Sequence, residues 1–75
     1  MESPLITQQV QPDRYCLEAV SRLNAEFHGV LSREVITGTV LTARRDLEGR
    51  VAFEALAEML HHLARHRLDR IRDGA

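Results

Sequence analysis

The chain has 75 residues, one cysteine and a formal net charge of -1, so it is one small domain without an internal disulfide or an overall basic field that would draw it to nucleic acid or anionic lipid. A core of this size rarely supplies more than about 3–5 kcal/mol of net stability, which leaves a metal, close helix packing or a partner subunit as the added support. With no Trp, one Tyr and two Phe, the core has to be built from Leu, Val, Ile, Ala and Met, the usual filling of a helical bundle.

Residues 1–11 carry no periodicity and are expected to form a flexible N-terminal arm. Met1-Glu2-Ser3-Pro4 is acidic and is not followed by the apolar run of a signal peptide. No stretch approaches the ~20 apolar residues that span a membrane. The expected location is therefore cytoplasmic.

The remainder, residues 12–73, reads as an all-α domain of three helices. The first is expected over about 12–28, with Pro12 at the first helical position and Asp13 in the first turn. Its apolar stripe is Cys16, Ala19, Val20, Leu23 and Phe27, spaced at the helical period, and Gly29 follows as a left-handed cap would. The second is expected over about 33–48. Ser32 is its N-cap, Glu34 suits the positive end of the helix dipole, Ile36, Val40, Ala43 and Leu47 form the stripe, and Gly49 ends it. Gly38 lies inside this helix at a cost of roughly 1 kcal/mol against Ala. It marks either a tolerated weak spot or a place where another helix comes close.

The third helix is expected over about 52–72. Its stripe is Phe53, Leu56, Ala57, Leu60, Leu63, Ala64, Leu68 and Ile71, with Phe53, Leu56, Leu60 and Leu63 central to the core. Glu54, Glu58, His61, Arg65, Asp69 and Arg72 fall on the opposite, polar face, and Gly74 lies just beyond the end. The linkers are short, so sequential helices become spatial neighbours.

Some apolar residues fit none of these stripes. Leu17, Val35, Leu41 and Met59 sit to the side of them or opposite. If contiguous, they would form a protein–protein contact. Leu63 and Leu68 complete the expected interface.

Three patterns invite a chemical reading. Cys16 and Arg22 satisfy the literal Cys-x5-Arg of phosphotyrosine phosphatases. That chemistry needs a loop of converging backbone N–H groups and an exposed thiolate. Here the intervening residues are helical, lack glycine and include Glu18, so Cys16 is expected to be a small buried hydrophobe and no enzyme activity is expected. His62 and His66 stand at i, i+4, a spacing that can place two imidazoles on one metal. They are the candidate metal ligands, but His28 is on another helix, His61 points elsewhere, and no cofactor is expected. If the pair flanks an interface, protonation near pH 6 would weaken it. Arg65, Arg67, Arg70 and Arg72 crowd the end of the third helix and Arg44-Arg45 the end of the second. A three-helix domain with such an end can read DNA. Against this, the arginines point in several directions, Asp69 and Asp73 interrupt them, and basic residues at a helix C-terminus suit the dipole alone.

The order of features from Tyr15 to Leu68 resembles a small bacterial family, the three-helix bundle dimerization domain. The resemblance rests on Val20-Ser21-Arg22-Leu23 and Phe27-His28-Gly29-Val30, on Glu34-Val35 and Leu47-Glu48-Gly49, and on Phe53-Glu54-Ala55-Leu56-Ala57-Glu58-Met59-Leu60 followed by Leu63-Ala64-Arg65-His66-Arg67-Leu68. The chain departs from the family in carrying Ala55 to Ala57 where a proline stands near the start of the third helix. Members resembling it occur alone or ahead of phosphatase-like and arsenate-reductase domains. The resemblance implies a homodimer without catalysis of its own. The expectation is a non-catalytic interaction module whose partner is a second copy or another helical protein. A small DNA-binding regulator using the Arg-rich end of the third helix is the alternative.

Overall fold

The computed structural model describes residues 13–74, and the expected N-terminal arm and Pro12 lie outside them. Three α-helices follow one another: α1 (Arg14–Glu26), α2 (Arg33–Leu47) and α3 (Leu56–Gly74), the last preceded by a single 3-10 turn over Phe53–Ala55. Among the described residues there is no strand, and no helix is long and apolar enough to cross a membrane.

Each helix starts and stops where its backbone groups find partners. Asp13 is the N-cap of α1, not a residue of its first turn as expected; its carboxylate accepts the Cys16 backbone N–H at 2.9 Å. Ser32 caps α2 as expected, its hydroxyl accepting the Val35 N–H at 3.1 Å. Gly29 and Gly49 have φ of 79° and 77°, the left-handed region that glycine enters without steric cost, and both turn the chain directly after a helix. The third helix differs from expectation at both ends. It opens with a 3-10 turn, and it continues through Gly74.

The polar contacts fix the helix directions. Arg44, near the end of α2, donates from Nε to Asp13 at the start of α1 at 2.8 Å, so these two helices run antiparallel. The Arg72 guanidinium stands 5.8 Å from the centre of the Phe27 ring, and Arg65 reaches Glu26 at 2.7 Å. The late part of α3 thus lies beside the end of α1, and the bundle runs up, down and up again.

The core is the expected one, with instructive exceptions. Cys16, Ala19, Leu23 and Phe27 face Ile36, Val40, Ala43 and Leu47 and also Leu56, Leu60, Ala64 and Leu68. The α3 contribution is a strict i, i+4 row, which advances about 40° around the helix at each step. The row therefore winds from one side of α3 to the other, and the residues beside its ends are shed. Ala57 and Ile71, expected in the stripe, are exposed, whereas Leu63 is half-buried against the core. The Phe53 side chain is not among those described.

This packing predicts a sharp contrast. Leu60 is fully buried, so Leu60→Ala should cost about 3 kcal/mol, most of the stability such a domain holds. Leu17 is 57% exposed, and Leu17→Ala should change stability by less than about 0.5 kcal/mol. Urea denaturation followed by circular dichroism checks both.

Candidate protein interface

The large exposed apolar side chains are Leu17, Val30, Val35, Leu41, Met59 and Ile71. Four of the expected interface residues are among them. Leu63 is only partly available, and Leu68 is completely buried inside the monomer. Leu68 falls on the winding i, i+4 row of α3 and belongs to the core, so it is withdrawn from the interface set.

The exposed residues do not form one patch. Val35 and Leu41 are six residues apart on α2, about 120° around the helix. Leu41 lies one turn before Arg44, and Leu17 one turn after Asp13. Because the Asp13–Arg44 pair joins these two points, the leucines share the α1–α2 flank. Val35 instead opens onto the other flank of α2, where a groove of about 700 Å³ runs between α2 and α3. Gly38, Thr39 and Thr42 form its α2 wall, and His66, Arg70 and Ile71 its α3 wall. Leu63 and Met59 stand one and two turns before Arg67 on α3, outside the groove's lining.

An ideal Cβ added at Gly38 would meet nothing within 4 Å. Inside the monomer, then, no close helix approach requires this glycine. The sequence signal for the groove was the glycine in mid-helix; its α3 wall could not be read, because Ile71 matches the stripe period yet is exposed.

The charges around α3 are mostly matched. Arg65 pairs with Glu26, Arg67 with Asp46 at 2.8 Å, and Arg72 with Asp69 and Asp73 at 3.3 and 3.2 Å. Arg44 is held by Asp13. Among the described residues, Arg70 on one lip of the groove and Glu34 on the other hold no ion pair.

The histidines are placed differently from expectation. His61, expected on the polar face, is half-buried in a second groove between α1 and α3, beside Tyr15, Glu18 and Arg22. On the face opposite the α3 stripe, His61 and Arg65 reach α1, Arg65 through its pair with Glu26, while Glu58 stays exposed. The His61 Nδ1 atom is buried and has no hydrogen-bond partner, and the His62 ring stands edge-on to it at 6.0 Å. His62 itself is exposed, 3.6 Å from Glu58, while His66 lines the α2–α3 groove. Among the described residues, no three His, Cys, Asp or Glu side chains gather as metal ligands do.

Asp13 and Cys16 form a coupled pair at the start of α1. Burial alone would raise the Asp13 carboxyl, but hydrogen bonds from the Cys16 N–H and from Arg44 outweigh it and hold the group below its ordinary value. Burial and the neighbouring Asp13 push the Cys16 thiol up to about 11. A reactive thiolate needs an electropositive, open setting; Cys16 is 1% exposed beside an anion. The literal phosphatase spacing thus has no phosphate-binding loop around it, since Cys16 and Arg22 both lie within α1.

Compared with known protein families, curated proteins and solved structures, the chain finds no match.

Two predictions follow from the titrating groups. Burial, and next the positive field of Arg22, with smaller contributions from His62 and Arg65, lower the His61 pKa from 6.5 against the opposing pull of Glu26. In the unfolded chain His61 gains its proton near pH 6.5, before the folded chain does, so protonation favours unfolding. Thermal stability should therefore fall between pH 7.5 and pH 5, and His61→Gln should flatten that fall; an unchanged slope would exclude His61 as its source. Asp13 contributes in the same sense but lower down, losing its stabilising effect as pH drops through and below 3.8. Separately, Cys16 should react with a disulfide reagent at pH 8 only on the timescale of unfolding, and urea should accelerate the reaction steeply. Immediate labelling of the native protein would contradict its burial.

Proposed function

We propose that this protein is a non-catalytic interaction module that binds a second copy of itself. The observation that carries the reading is the pairing of a small aliphatic core with six large apolar side chains left at the surface, each at least 38% exposed. Scattered exposed apolar residues are ordinary. Here, however, Val35 and Leu41 lie on α2 and Met59 and Ile71 on α3, with Leu17 on α1 and Val30 in the turn after it, in a domain whose own core supplies little net stability. A partner covering such a flank adds the missing burial, at about 25 cal/mol for each Å² of apolar surface removed from water. The resemblance to the dimerization-domain family points the same way.

The DNA-binding alternative draws less support. Arg65, Arg67 and Arg72 on α3 and Arg44 on α2 are each committed to carboxylates. Releasing them toward phosphates would cost those pairs, and the chain's slight negative charge offers no compensating field.

Sedimentation equilibrium from micromolar to millimolar concentration tests the proposal. The expected result is a species of twice the 8.5 kDa chain mass whose fraction follows mass action. A folded monomer across the whole range would overturn self-association. Titration with a short DNA duplex should give no salt-sensitive binding. Micromolar binding that steepens at low salt and weakens on Arg67→Ala or Arg70→Ala would replace the reading.

A further inference from the structure

We infer that the α2–α3 groove is the surface on which two copies meet, α2 lying against α2 of the second copy across Gly38, with Glu34 of each chain facing the basic lip of the other. This rests on the self-association proposed above and adds where it occurs.

Three observations combine. The groove encloses about 700 Å³, and its rim carries the exposed Val35 and Ile71. Its α2 wall includes Gly38, which has open space where a side chain would stand. A glycine at mid-helix weakens the helix, and nothing inside this monomer needs it there. A second helix backbone brought over Gly38 would.

The third observation selects a second copy over any other occupant. A two-fold interface is isologous, so each patch must complement itself. The groove has one lip bearing Glu34 and another bearing Arg70 next to His66, and among the described residues neither Glu34 nor Arg70 holds an ion pair. Turned through a two-fold axis passing near Gly38, the acidic lip of one copy meets the basic lip of the other, and the reverse contact forms at the same time. The stretch of Val35, Gly38, Thr39 and Ile71 between opposite charges then closes on itself. The α1–α2 flank lacks this property: its bordering charges, Asp13 and Arg44, already satisfy each other at 2.8 Å.

The test is a charge-swap cycle on the full chain, read by sedimentation equilibrium. Glu34→Arg alone and Arg70→Glu alone each place like charges together twice in the dimer, and each should weaken association at least about tenfold. The double variant, Glu34→Arg with Arg70→Glu, should return to within about threefold of the unmodified chain. Restoration cannot come from helix stability, because arginine in the first turn of α2 is unfavourable in both variants. Gly38→Leu, which circular dichroism should show to be folded, fills the groove and should also abolish most of the dimer. If the unmodified chain dimerises but the charge variants and Gly38→Leu dimerise equally well, the groove is not the interface and this inference is overturned while self-association stands. If Leu17→Ser then disrupts the dimer, the α1–α2 flank is the surface instead. An unmodified chain that stays monomeric removes the proposed function itself, a result distinct from either.

Discussion

One carboxylate sets the relation between the first two helices. Asp13 uses one oxygen to cap α1 through the Cys16 N–H, and the other to receive the Arg44 guanidinium from the far end of α2. The helix start, the antiparallel register and the electrostatic surroundings of Cys16 all follow from that placement. An exposed ion pair contributes little stability by itself, about 0–1 kcal/mol. Its effect here is on alignment: with Asp13 and Arg44 joined, Ala19 and Leu23 of α1 come level with Val40 and Ile36 of α2, and the aliphatic stripes close. The raised thiol of Cys16 is a by-product of the same carboxylate.

Close packing of these stripes has a consequence for the surface. Each helix places one alanine in the core, Ala19, Ala43 and Ala64, all at 4% exposure or less. Small residues at these points let the helices approach, leaving Leu23, Val40, Leu60 and Leu68 to fill the interior completely. Little room remains for the other large apolar residues. Val35, Leu41, Met59 and Ile71 are consequently left on the flanks. The long α3 strengthens this effect, since nineteen residues span about 28 Å against about 20 Å for the thirteen of α1.

Much of the architecture was legible from spacing alone. The stripes of α1 and α2 are the buried residues with one half-buried exception, Val20, because a helix packed at a shallow angle buries the face that periodicity defines. The Ser32 cap and the left-handed Gly29 and Gly49 were equally visible, being local chemistry. What escaped the sequence was long-range. Asp13 looked like a dipole residue because its second partner is thirty-one positions away. His61 looked solvated because a helical wheel describes one helix and omits the neighbour it leans on. Leu68, expected in both the stripe and the interface, is core alone, and Ile71, expected in the stripe, is exposed, because an i, i+4 row winds around its helix, so a residue that matches the period can still leave the core at the far end. In the candidate site, Leu17, Val35, Leu41 and Met59 were correctly read as surplus, but their division between two flanks required the fold.

The two flanks of α2 then differ in what they can do. On the α1 side the charges are spent internally, and Leu17 and Leu41 are apolar residues beside a closed ion pair. On the α3 side Val35 and Ile71 stand beside Gly38, Thr39 and Thr42, and the lips bear opposite charges that hold no ion pair among the described residues. Gly38 belongs to that second flank. Replacing it by alanine should stabilise an isolated α2 by up to about 1 kcal/mol, since no neighbouring atom obstructs the added methyl group. A residue that weakens its own helix without serving the monomer fold is most simply explained by a contact that forms only when another helix arrives. The same reasoning accounts for the weak helix formers around it, Thr37, Thr39 and Thr42: α2 is stabilised by what packs on it, through α1 and α3 on its inner face and, in the proposed dimer, through its own symmetry mate on the outer one.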